Sequence, residues 1–367
     1  MSARILLLGA NGQVGHALRF ALRDVARELK PRFAQPRRES EPSPGATRHH
    51  GALGQGRQLY PGGEGKSLNP SAFERGAGVR VRTGEIIPAT RDGKLDGAGC
   101  ERVDLADLDD LRAKLDRIEP DLIVNAAAYT AVDRAEDEPE LAMRVNGEAV
   151  GVLGEWAARH EARVVHYSTD YVFDGKSKKP YREDDAPHPL GEYGRSKLAG
   201  ELALRASGAS FLILRTAWVY APRGQNFLRT MLRLAGERDT LRVVDDQAGA
   251  PTPAELIARV TAKILPRWFN VDEGDMTGHS LDGVYHLTSA GETNWCEFAR
   301  AIFVRAKQTG LLARTPQVEA IRTHEYPTRA RRPAYSVLDT ALLREAFGVD
   351  LPDWREGLDG VFEDLAG

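Results

Sequence analysis

The residues that decide the fold are RILLLGANGQVG (residues 4–15), an apolar run that leads directly into a glycine-rich turn. The apolar run predicts a short buried strand, and the apolar spacing at Ala17, Leu18, Ala21 and Leu22 predicts a helix after the turn. A strand, a glycine turn and a helix in this order are typical of the start of a dinucleotide-binding unit. We therefore predict an α/β fold with a Rossmann-type, doubly wound parallel sheet.

The three glycines of the turn have different predicted tasks. Gly9 permits the tight turn, Gly12 lets the backbone approach a pyrophosphate, and Gly15 lets the helix lie close to the strand. The free N–H groups at the start of the helix then face the phosphates. The alternative is that this turn binds no nucleotide and only connects the strand to the helix. The predicted cofactor contacts in the turn are Gly9, Asn11, Gly12, Gln13, Val14 and Gly15.

The second strand of such a unit carries the residue that recognises the adenosine ribose. It does not follow the first helix directly, because residues from about 30 to 84 are rich in Pro, Gly, Arg and Ser and have no apolar period. We interpret this segment as an insertion without regular structure. EIIPATR (residues 85–91) is the predicted second strand, with residues 79–82 as the alternative. Arg91 would then stand near a 2′-phosphate, which favours NADPH over NADH.

The alternation of strands and helices continues through the next hundred residues. Strands are predicted at residues 103–107, 121–125 and 164–170, with helices between them. Open α/β sheets bind ligands at the carboxyl ends of their strands, so we expect cofactor contacts there. The predicted contacts are Asp104, Leu105, Ala126, Ala127 and Ala128.

The segment YGRSK (residues 193–197) supplies the chemistry of a carbonyl reductase. On a helix, Tyr193 and Lys197 share one face. A free phenol, with a pKa of about 10, is a poor acid or base near neutral pH, and a nearby cation favours the phenolate. We therefore expect Lys197 to lower the pKa of Tyr193. Thr169, at the end of the strand at residues 164–170, adds a hydroxyl that can donate to a carbonyl oxygen or cap the next turn.

Length and charge limit the class of protein. The chain has 367 residues, of which 42% are hydrophobic, enough for two domains or one large α/β unit. We expect an NAD(P)-binding domain at residues 1–215 and a smaller α/β substrate domain mainly at 216–367, with some segments returning to the first domain. A net charge of −3 gives no electrostatic argument for nucleic acid or an anionic membrane as partner. Cys100 and Cys296 lie far apart, and no leader is evident, so we expect a cytoplasmic protein.

Three consecutive segments carry a more specific resemblance. YSTDYVFDG (residues 167–175), PYREDD (180–185) and PLGEYGRSKLAGE (189–201) resemble the dTDP-4-dehydrorhamnose reductase family of extended short-chain dehydrogenases/reductases in order and spacing. The resemblance covers essentially the whole chain except residues from about 30 to 84. Its further segments are residues 125–136, 215–220, 226–234, 245–253, 330–335 and 351–354.

The resemblance implies a reaction and a role for each residue. The reaction is reduction of the C4 keto group of dTDP-4-dehydro-6-deoxy-L-mannose to dTDP-L-rhamnose by NADPH or NADH, the last step in making this sugar donor. Thr169 would polarise the carbonyl, Tyr193 would protonate the developing alkoxide, and Lys197 would hold the nicotinamide ribose. A non-catalytic NADP-binding subunit and a related epimerase or dehydratase are the alternatives. The implied substrate contacts are Val132, Asp133, Thr169, Asp170, Trp218, Asn226, Gln247 and Pro251.

Some members of this family hold Mg²⁺ between subunits through carboxylates. The place of one of these carboxylates, just after the last glycine of the turn, is occupied here by His16. Glu255 and Asp364 lie in segments that resemble the sources of the other ligands, and two carboxylates make a weak site for a hard cation. We therefore predict no metal site and expect a monomer or a homodimer.

In the C-terminal third, the sequence predicts helices around residues 227–236 and 253–265 and a strand at residues 283–287. A further helix should follow, with Thr293 or Asn294 as its N-cap. Core packing is the expected role of Trp295. An arginine cluster faces either a diphosphate or solvent; its members are Arg329, Arg331 and Arg332.

Overall fold

The computed structural model describes residues 3–29, 84–269 and 280–366. All of the expected insertion except residue 84, and the alternative second strand at residues 79–82, lie outside these residues. The strands are β1 (Arg4–Leu8), β2 (Glu85–Thr90), β3 (Lys94–Leu95), β4 (Ala98–Gly99), β5 (Glu101–Arg102), β6 (Leu122–Asn125), β7 (Arg163–Thr169), β8 (Ser210–Thr216), β9 (Val219–Tyr220), β10 (Thr240–Val244), β11 (Ala248–Gly249), β12 (Thr252–Pro253), β13 (Gly283–His286), β14 (Thr293–Asn294) and β15 (Gln317–Ile321).

The helices follow the strands in the alternation that the sequence predicts. They are α1 (Gln13–Glu28), α2 (Leu108–Ile118), α3 (Val132–Ala135), α4 (Pro139–Met143), α5 (Ala149–Arg159), α6 (Glu192–Ala206), α7 (Phe227–Glu237), α8 (Ala254–Phe269), α9 (Trp295–Gln308), α10 (Ala341–Phe347) and α11 (Trp354–Ala366). A π-helical turn, Arg144–Glu148, joins α4 to α5 without a break, and short 3₁₀ turns lie at Asp170–Val172 and Thr323–Glu325. In the described parts of the chain, no helix is long and apolar enough to span a membrane.

A seven-stranded sheet of order β13-β8-β7-β6-β1-β2-β5 forms the centre of the molecule. All neighbouring strands in it run parallel. The chain first winds outward from β1 to β2 and β5, and then crosses back to β6 and continues in the other direction. The order therefore reverses between β1 and β6, and this switch point is where open α/β sheets bind their ligands. The predicted doubly wound parallel sheet is confirmed.

Alternate residues of β1 enter two different helical layers. Ile5 and Leu7 pack in a core with helices α1 and α8, whereas Leu6 and Leu8 pack in a second core with α2 and α5. All four are almost completely buried, and each contributes on the order of 1.5–3 kcal/mol by leaving water. Helices on both faces explain why the strand is a continuous apolar run rather than an alternating one.

A third core lies in the C-terminal part, among helices α7, α9 and α11 and the two-stranded β10–β15 sheet. Trp354 and Tyr220 are its largest buried side chains, and Phe298 and Phe362 pack in the same core. Strand β13 also follows residue 215, yet it pairs with β8 at the edge of the main sheet. The division of the chain into domains at residue 215 stays a prediction.

The expected strand at residues 103–107 is wrong in its bounds. Strand β5 covers only Glu101–Arg102, and the following residues turn away from the sheet. The Asp104 carboxylate accepts a hydrogen bond from the Ala106 N–H, and Asp107 caps α2 by accepting from the Asp110 N–H. Local carboxylate hydrogen bonds of this kind compete with strand pairing and end the strand early.

Candidate active site

The glycine turn lies at the switch point, and its geometry requires glycine at two places. Gly9 has a φ of +75°, and a Cβ there would lie 2.7 Å from the backbone nitrogen of Ala127, which follows β6. A Cβ at Gly15 would collide with the Gly9 carbonyl oxygen. The turn and the end of β6 therefore touch backbone to backbone, and side chains are excluded from the contact.

The start of α1 is open toward this turn. Asn11 and Gly12 are exposed, and no side chain caps the helix. A helix start without a cap leaves N–H groups that an anion can satisfy. The shape and donors of the turn thus fit a dinucleotide pyrophosphate, with Gln13 and Val14 on the first turn of α1.

The neighbouring strand ends carry the other predicted cofactor residues. Arg91 is exposed directly after β2. Asp104 and Leu105 follow β5, and Leu105 is buried. Ala126, Ala127 and Ala128 follow β6 and are partly buried.

Thr169 and Tyr193 come from different elements at the same edge of the sheet. Thr169 ends β7, and its hydroxyl donates to the Asp170 carboxylate at 3.0 Å. Tyr193 lies in the first turn of α6 with its ring partly exposed. Desolvation of its hydroxyl raises the pKa of Tyr193, and the hydrogen bond with Thr169 opposes this rise. The expected lowering of the Tyr193 pKa is therefore wrong for this arrangement.

The reason lies in the direction of Lys197. Its amine is buried and is turned inward, where Nζ lies 2.6 Å from the Tyr167 carbonyl oxygen and 3.2 Å from His166 Nε2. Burial lowers the pKa of Lys197 to about 8, and the Glu201 carboxylate opposes this effect. The amine is thus directed away from the phenol, and the pKa of Tyr193 is set by desolvation and, to a smaller extent, by Thr169, Asp170 and Tyr171.

Beneath Lys197, a buried ion pair joins α6 to β8. Glu201 accepts from Arg215 through both oxygens, at 2.9 Å from Nε and 2.7 Å from Nη2. The two side chains are 1% and 2% exposed. The arginine also lies over the ring of Phe173, 5.1 Å from its centroid. This pair fixes the position of the helix that carries Tyr193 and Lys197.

The residues implied in substrate binding lie around the same edge but are held in different ways. Val132 and Asp133 begin α3, and the Asp133 carboxylate accepts from Arg332 Nη2 at 2.8 Å. Arg332 also donates to the hydroxyl of Tyr171, whose ring packs edge-on against Tyr193 at 5.5 Å. This chain of contacts brings one member of the arginine cluster to the candidate site.

The other two arginines of the cluster take different places. Arg329 forms an ion pair with Asp137, and Arg331 is exposed.

Burial raises the pKa of Asp170 to about 6, and hydrogen bonds from Ser336 and Thr169 oppose this rise.

Trp218 has an unusual backbone for a large side chain, with a φ of +48°. Its indole stacks on Trp295 with centroids 3.5 Å apart and rings inclined by 5°. Gly249 lies directly against this indole, where a Cβ would come within 2.6 Å of its Nε1. The expectation of plain core packing for Trp295 is therefore incomplete, because both indoles are only partly buried and form one aromatic surface.

Three further residues of the implied substrate set have visible structural roles. Asn226 caps α7 by accepting from the Arg229 N–H, and its amide donates to Gln13 Oε1 at 2.8 Å. Gln247 is buried and donates to Thr323 Oγ1. Pro251 is buried just before β12. The Asn226–Gln13 contact connects the C-terminal part to α1.

The surroundings of His16 do not fit a divalent cation. His16 Nδ1 accepts from Arg223 Nη1 at 2.8 Å, and Glu255 and Asp364 line the same cavity of about 620 Å³. In the parts of the chain that the structure covers, no three His, Cys, Asp or Glu side chains converge as metal ligands. An arginine cation already faces these groups, so a second cation would meet repulsion.

Sequence reasoning missed the polar residues that hold the site from below. Asn146, in the π-helical turn, binds the backbone of Tyr129 through both amide atoms and donates to Ser196 Oγ at 3.0 Å. Asn125 and His166, which sequence reasoning treated only as strand residues, contact each other beneath Lys197. No local pattern indicates such pairs, because their members come from different elements.

Comparison with known proteins places the chain in a family. Residues 77–366 match the family model described as RmlD substrate binding domain. The dTDP-4-dehydrorhamnose reductase of Burkholderia thailandensis is 46% identical over 284 residues, which are 77% of this chain and 91% of that protein. The dTDP-4-dehydrorhamnose reductase of Escherichia coli strain K12 is 46% identical over 248 residues, which are 68% of this chain and 81% of that protein.

A solved structure agrees over nearly all of the chain. The dTDP-4-dehydrorhamnose reductase of Bacillus anthracis, in complex with NADP, superposes with a TM-score of 0.71 at 28% identity, over 99% of this chain and 100% of that chain. The family resemblance drawn from the residues is confirmed. This chain belongs to the RmlD substrate binding domain family, among relatives that are dTDP-4-dehydrorhamnose reductases.

Proposed function

We propose that this protein reduces the C4 keto group of dTDP-4-dehydro-6-deoxy-L-mannose to the alcohol of dTDP-L-rhamnose, with NADPH or NADH as hydride donor. The observation that carries the proposal is that the glycine turn, Thr169 and Tyr193 lie at the carboxyl edge of one sheet, with Lys197 one helical turn from Tyr193. The relatives that share this chain's family bear the name of this reaction.

The cofactor would lie across the switch point, held by the turn at Gly9–Gly15 and by the ends of β2, β5 and β6. When bound, it supplies a hydride to the substrate carbonyl carbon. The Lys197 amine would hold its ribose, after turning from the Tyr167 carbonyl. An exposed Arg91 beyond β2 supports a preference for NADPH, because a guanidinium suits a 2′-phosphate.

The chain's own task is to stabilise charge on the carbonyl oxygen. The Thr169 hydroxyl would donate to that oxygen while charge develops, and Tyr193 would then transfer its phenolic proton to it. A raised Tyr193 pKa keeps the phenol protonated near neutral pH, so the proton is present when it is needed. A sugar alkoxide is a stronger base than a phenolate, so the transfer is downhill.

The substrate's remaining parts would be bound by the residues around this edge. Asp133 and Asp170 lie beside the Tyr171–Tyr193 contact and suit sugar hydroxyls. The surface made by Trp218 and Trp295 suits a flat apolar face, and Gln247 and Pro251 lie in the loop that leads to it. Val132 and Asn226 complete the proposed set. We further propose a cytoplasmic protein that needs neither nucleic acid nor a membrane.

The test uses purified protein, the keto sugar nucleotide and NADPH, with the nicotinamide absorbance as signal. Oxidation of one NADPH for each sugar reduced supports the proposal. An epimerase would change the sugar without net oxidation, and a regulatory subunit would bind NADPH without turnover, and either result would overturn it.

Replacing Tyr193 with Phe tests the assignment of the acid. We expect kcat to fall by about 10²–10⁴, the usual contribution of a general acid, with NADPH affinity unchanged. The matched control is Tyr285→Phe, which removes a phenol whose hydroxyl donates to the Leu281 carbonyl at 3.0 Å on the edge strand. A Tyr193→Phe enzyme with near-normal kcat would remove this residue from the mechanism.

A further inference from the structure

The start of α6 is capped by a side chain from outside the helix. The N-cap residue is Gly191, which has no side chain to offer, and the N–H of Glu192 donates instead to Glu136 Oε1 at 2.9 Å. Glu136 lies directly after α3, 56 residues earlier in the chain. Because Tyr193 follows Glu192, this hydrogen bond holds the backbone next to the proposed acid.

Glycine at position 191 leaves room for this carboxylate. Gly191 has a φ of −139° and a ψ of 175°, a conformation that other residues adopt as well, so its backbone does not require glycine. A Cβ at this position would collide with Glu136 Oε1. The missing side chain at residue 191 therefore serves the contact with Glu136 rather than the turn itself.

The neighbouring carboxylates of this segment have other partners. They form ion pairs with arginines: Asp133 with Arg332, Asp137 with Arg329 and Glu138 with Arg134. Within the residues that the structure describes, Glu136 has no such partner and accepts from the backbone of α6 instead. A carboxylate at a helix start also interacts favourably with the helix dipole.

Other contacts hold α3 itself in place. Ala135, next to Glu136, is completely buried. The Asp133 carboxylate accepts from the Ala330 N–H at 3.1 Å and from Arg332 Nη2 at 2.8 Å, so the C-terminal segment anchors this short helix. A water molecule could satisfy the same N–H of α6, but only a cap from an anchored element also restrains the position of the helix.

A second contact restrains the first turn of α6 along its side. A Cβ at Gly194 would collide with the Tyr171 carbonyl oxygen, and the Tyr171 ring packs edge-on against Tyr193. The turn is thus held by Glu136 at its start and by Tyr171 beside it. We propose that Glu136 is a positioning residue, which caps α6 from outside the helix and thereby fixes the place of the Tyr193 phenol.

The inference rests on the proposed function, in which Tyr193 is the acid of the reduction. A general acid must lie within hydrogen-bond reach of the oxygen that it protonates. A displaced first turn would therefore lower kcat, while the parts of the substrate and cofactor that other residues hold would bind as before.

Two substitutions remove the cap by different routes. Glu136→Ala deletes the carboxylate, whereas Gly191→Ala keeps it and displaces it, because the new Cβ meets the flexible end of the Glu136 side chain. We expect each to lower kcat about tenfold, less than the roughly 10²-fold that a misplacement of about 1 Å can cost, with KM and the NADPH Kd within about twofold of the original. The double variant should be no slower than the slower single variant, since both changes break the same hydrogen bond.

Two controls separate positioning from general stability. Asp107→Ala removes a cap of similar length, in which Asp107 accepts from the Asp110 N–H at 3.0 Å, from a helix that carries none of the proposed site residues. It should lower the midpoint of thermal unfolding as Glu136→Ala does but leave kcat unchanged. Glu136→Gln keeps an oxygen acceptor for the Glu192 N–H and should recover most of the lost kcat.

Hydrogen exchange of the Glu192 amide, followed by NMR, measures the cap without reference to activity. Exchange should become faster in Glu136→Ala and Gly191→Ala and stay slow in Glu136→Gln. If Glu136→Ala does not fold, Gly191→Ala still decides the question.

Four results would overturn the inference. They are unchanged exchange in both alanine variants, a normal kcat in spite of faster exchange, an equal loss of kcat in Glu136→Gln or Asp107→Ala, and a raised KM with an unchanged kcat, which would make Glu136 a substrate contact. Failure of the unmodified protein to oxidise NADPH would instead reject the proposed function, while the exchange measurement would still show whether Glu136 caps α6.

Discussion

Removing one charge from the buried Glu201–Arg215 pair should lower the free energy of unfolding by far more than the small change in side-chain structure suggests. The substitution Glu201→Gln keeps the shape of the side chain and one acceptor oxygen but removes the negative charge. Arg215 is 2% exposed and cannot reach water to compensate. Its guanidinium would become a buried charge without a hydrogen-bonded carboxylate.

The magnitude follows from the geometry. The pair is bidentate, with contacts of 2.9 and 2.7 Å, and both partners are almost fully buried. Breaking such a pair from one side costs about 3–5 kcal/mol, mainly because of the uncompensated charge that remains. Arg215 Nη1 has no hydrogen-bond partner already, so this arginine has little reserve of alternative contacts.

Equilibrium unfolding in guanidinium chloride measures this effect. We expect a lower midpoint with an unchanged slope, equivalent to a loss of about 3–5 kcal/mol. The control is Glu237→Gln, in the exposed pair with Arg233 on α7, where contacts of similar length join side chains that are 51% and 61% exposed. This control should lose no more than about 0.5 kcal/mol. If the two variants lose equal free energy, burial does not decide the strength of these pairs and the reasoning is refuted.

Three further predictions use other parts of the molecule. Gly236→Ala should stabilise α7 by about 0.5–1 kcal/mol, because the new Cβ meets open space. Gly15→Ala should weaken NADPH binding in a fluorescence titration, because its Cβ meets the backbone of the turn. Equal NADPH affinities of the two variants would argue against the turn geometry. Asp170 has a folded-state pKa of about 6, above its unfolded value of about 3.9, so its stabilisation is complete at low pH and is lost as the pH rises between these values. Relative to Asp170→Asn, the original protein should therefore lose stability in denaturant titrations from pH 4 to about pH 6, by up to about 3 kcal/mol, and a constant difference would contradict this. Added Mg²⁺ or EDTA should change neither turnover nor the mass by light scattering, and a Mg²⁺-dependent dimer that Glu255→Ala abolishes would show that the Arg223 cavity does accept the metal.

The alternation of strands and helices and the glycine turn could be predicted because their signals are local. The run at Arg4–Leu8 and its turn are adjacent in the chain, and the choice of residues 85–91 over 79–82 gave the correct neighbour of β1. The residues at which strands end were harder to predict. Strand β5 is only two residues long, since the carboxylates of Asp104 and Asp107 bind nearby backbone N–H groups before the strand can extend.

The positions of the candidate residues on their elements could be predicted from the sequence, but the direction of the Lys197 amine could not. Helical spacing correctly puts Tyr193 and Lys197 on α6. The Lys197 amine contacts the Tyr167 carbonyl oxygen and the His166 ring, and both residues lie on β7, distant from Lys197 in sequence. The sequence around His166 indicates no partner for this side chain. His166 contacts Asn125 only because β6 and β7 pair in the sheet. The stack of Trp218 on Trp295 was missed for the same reason.

The π-helical turn at Arg144–Glu148 gives the long helical segment from α4 to α5 an internal change of phase. A π turn accommodates one residue more than an α-helical turn, and each residue of an α-helix rotates the chain by about 100°. The side chains of α4 and those of α5 therefore share directions that they would not share in a regular α-helix of the same sequence. Losing a single residue here would keep the helix but rotate α4 against α5, and Asn146 would turn away from Tyr129 and Ser196. Relatives that share the site should thus share the residue count across this turn, even where its side chains differ.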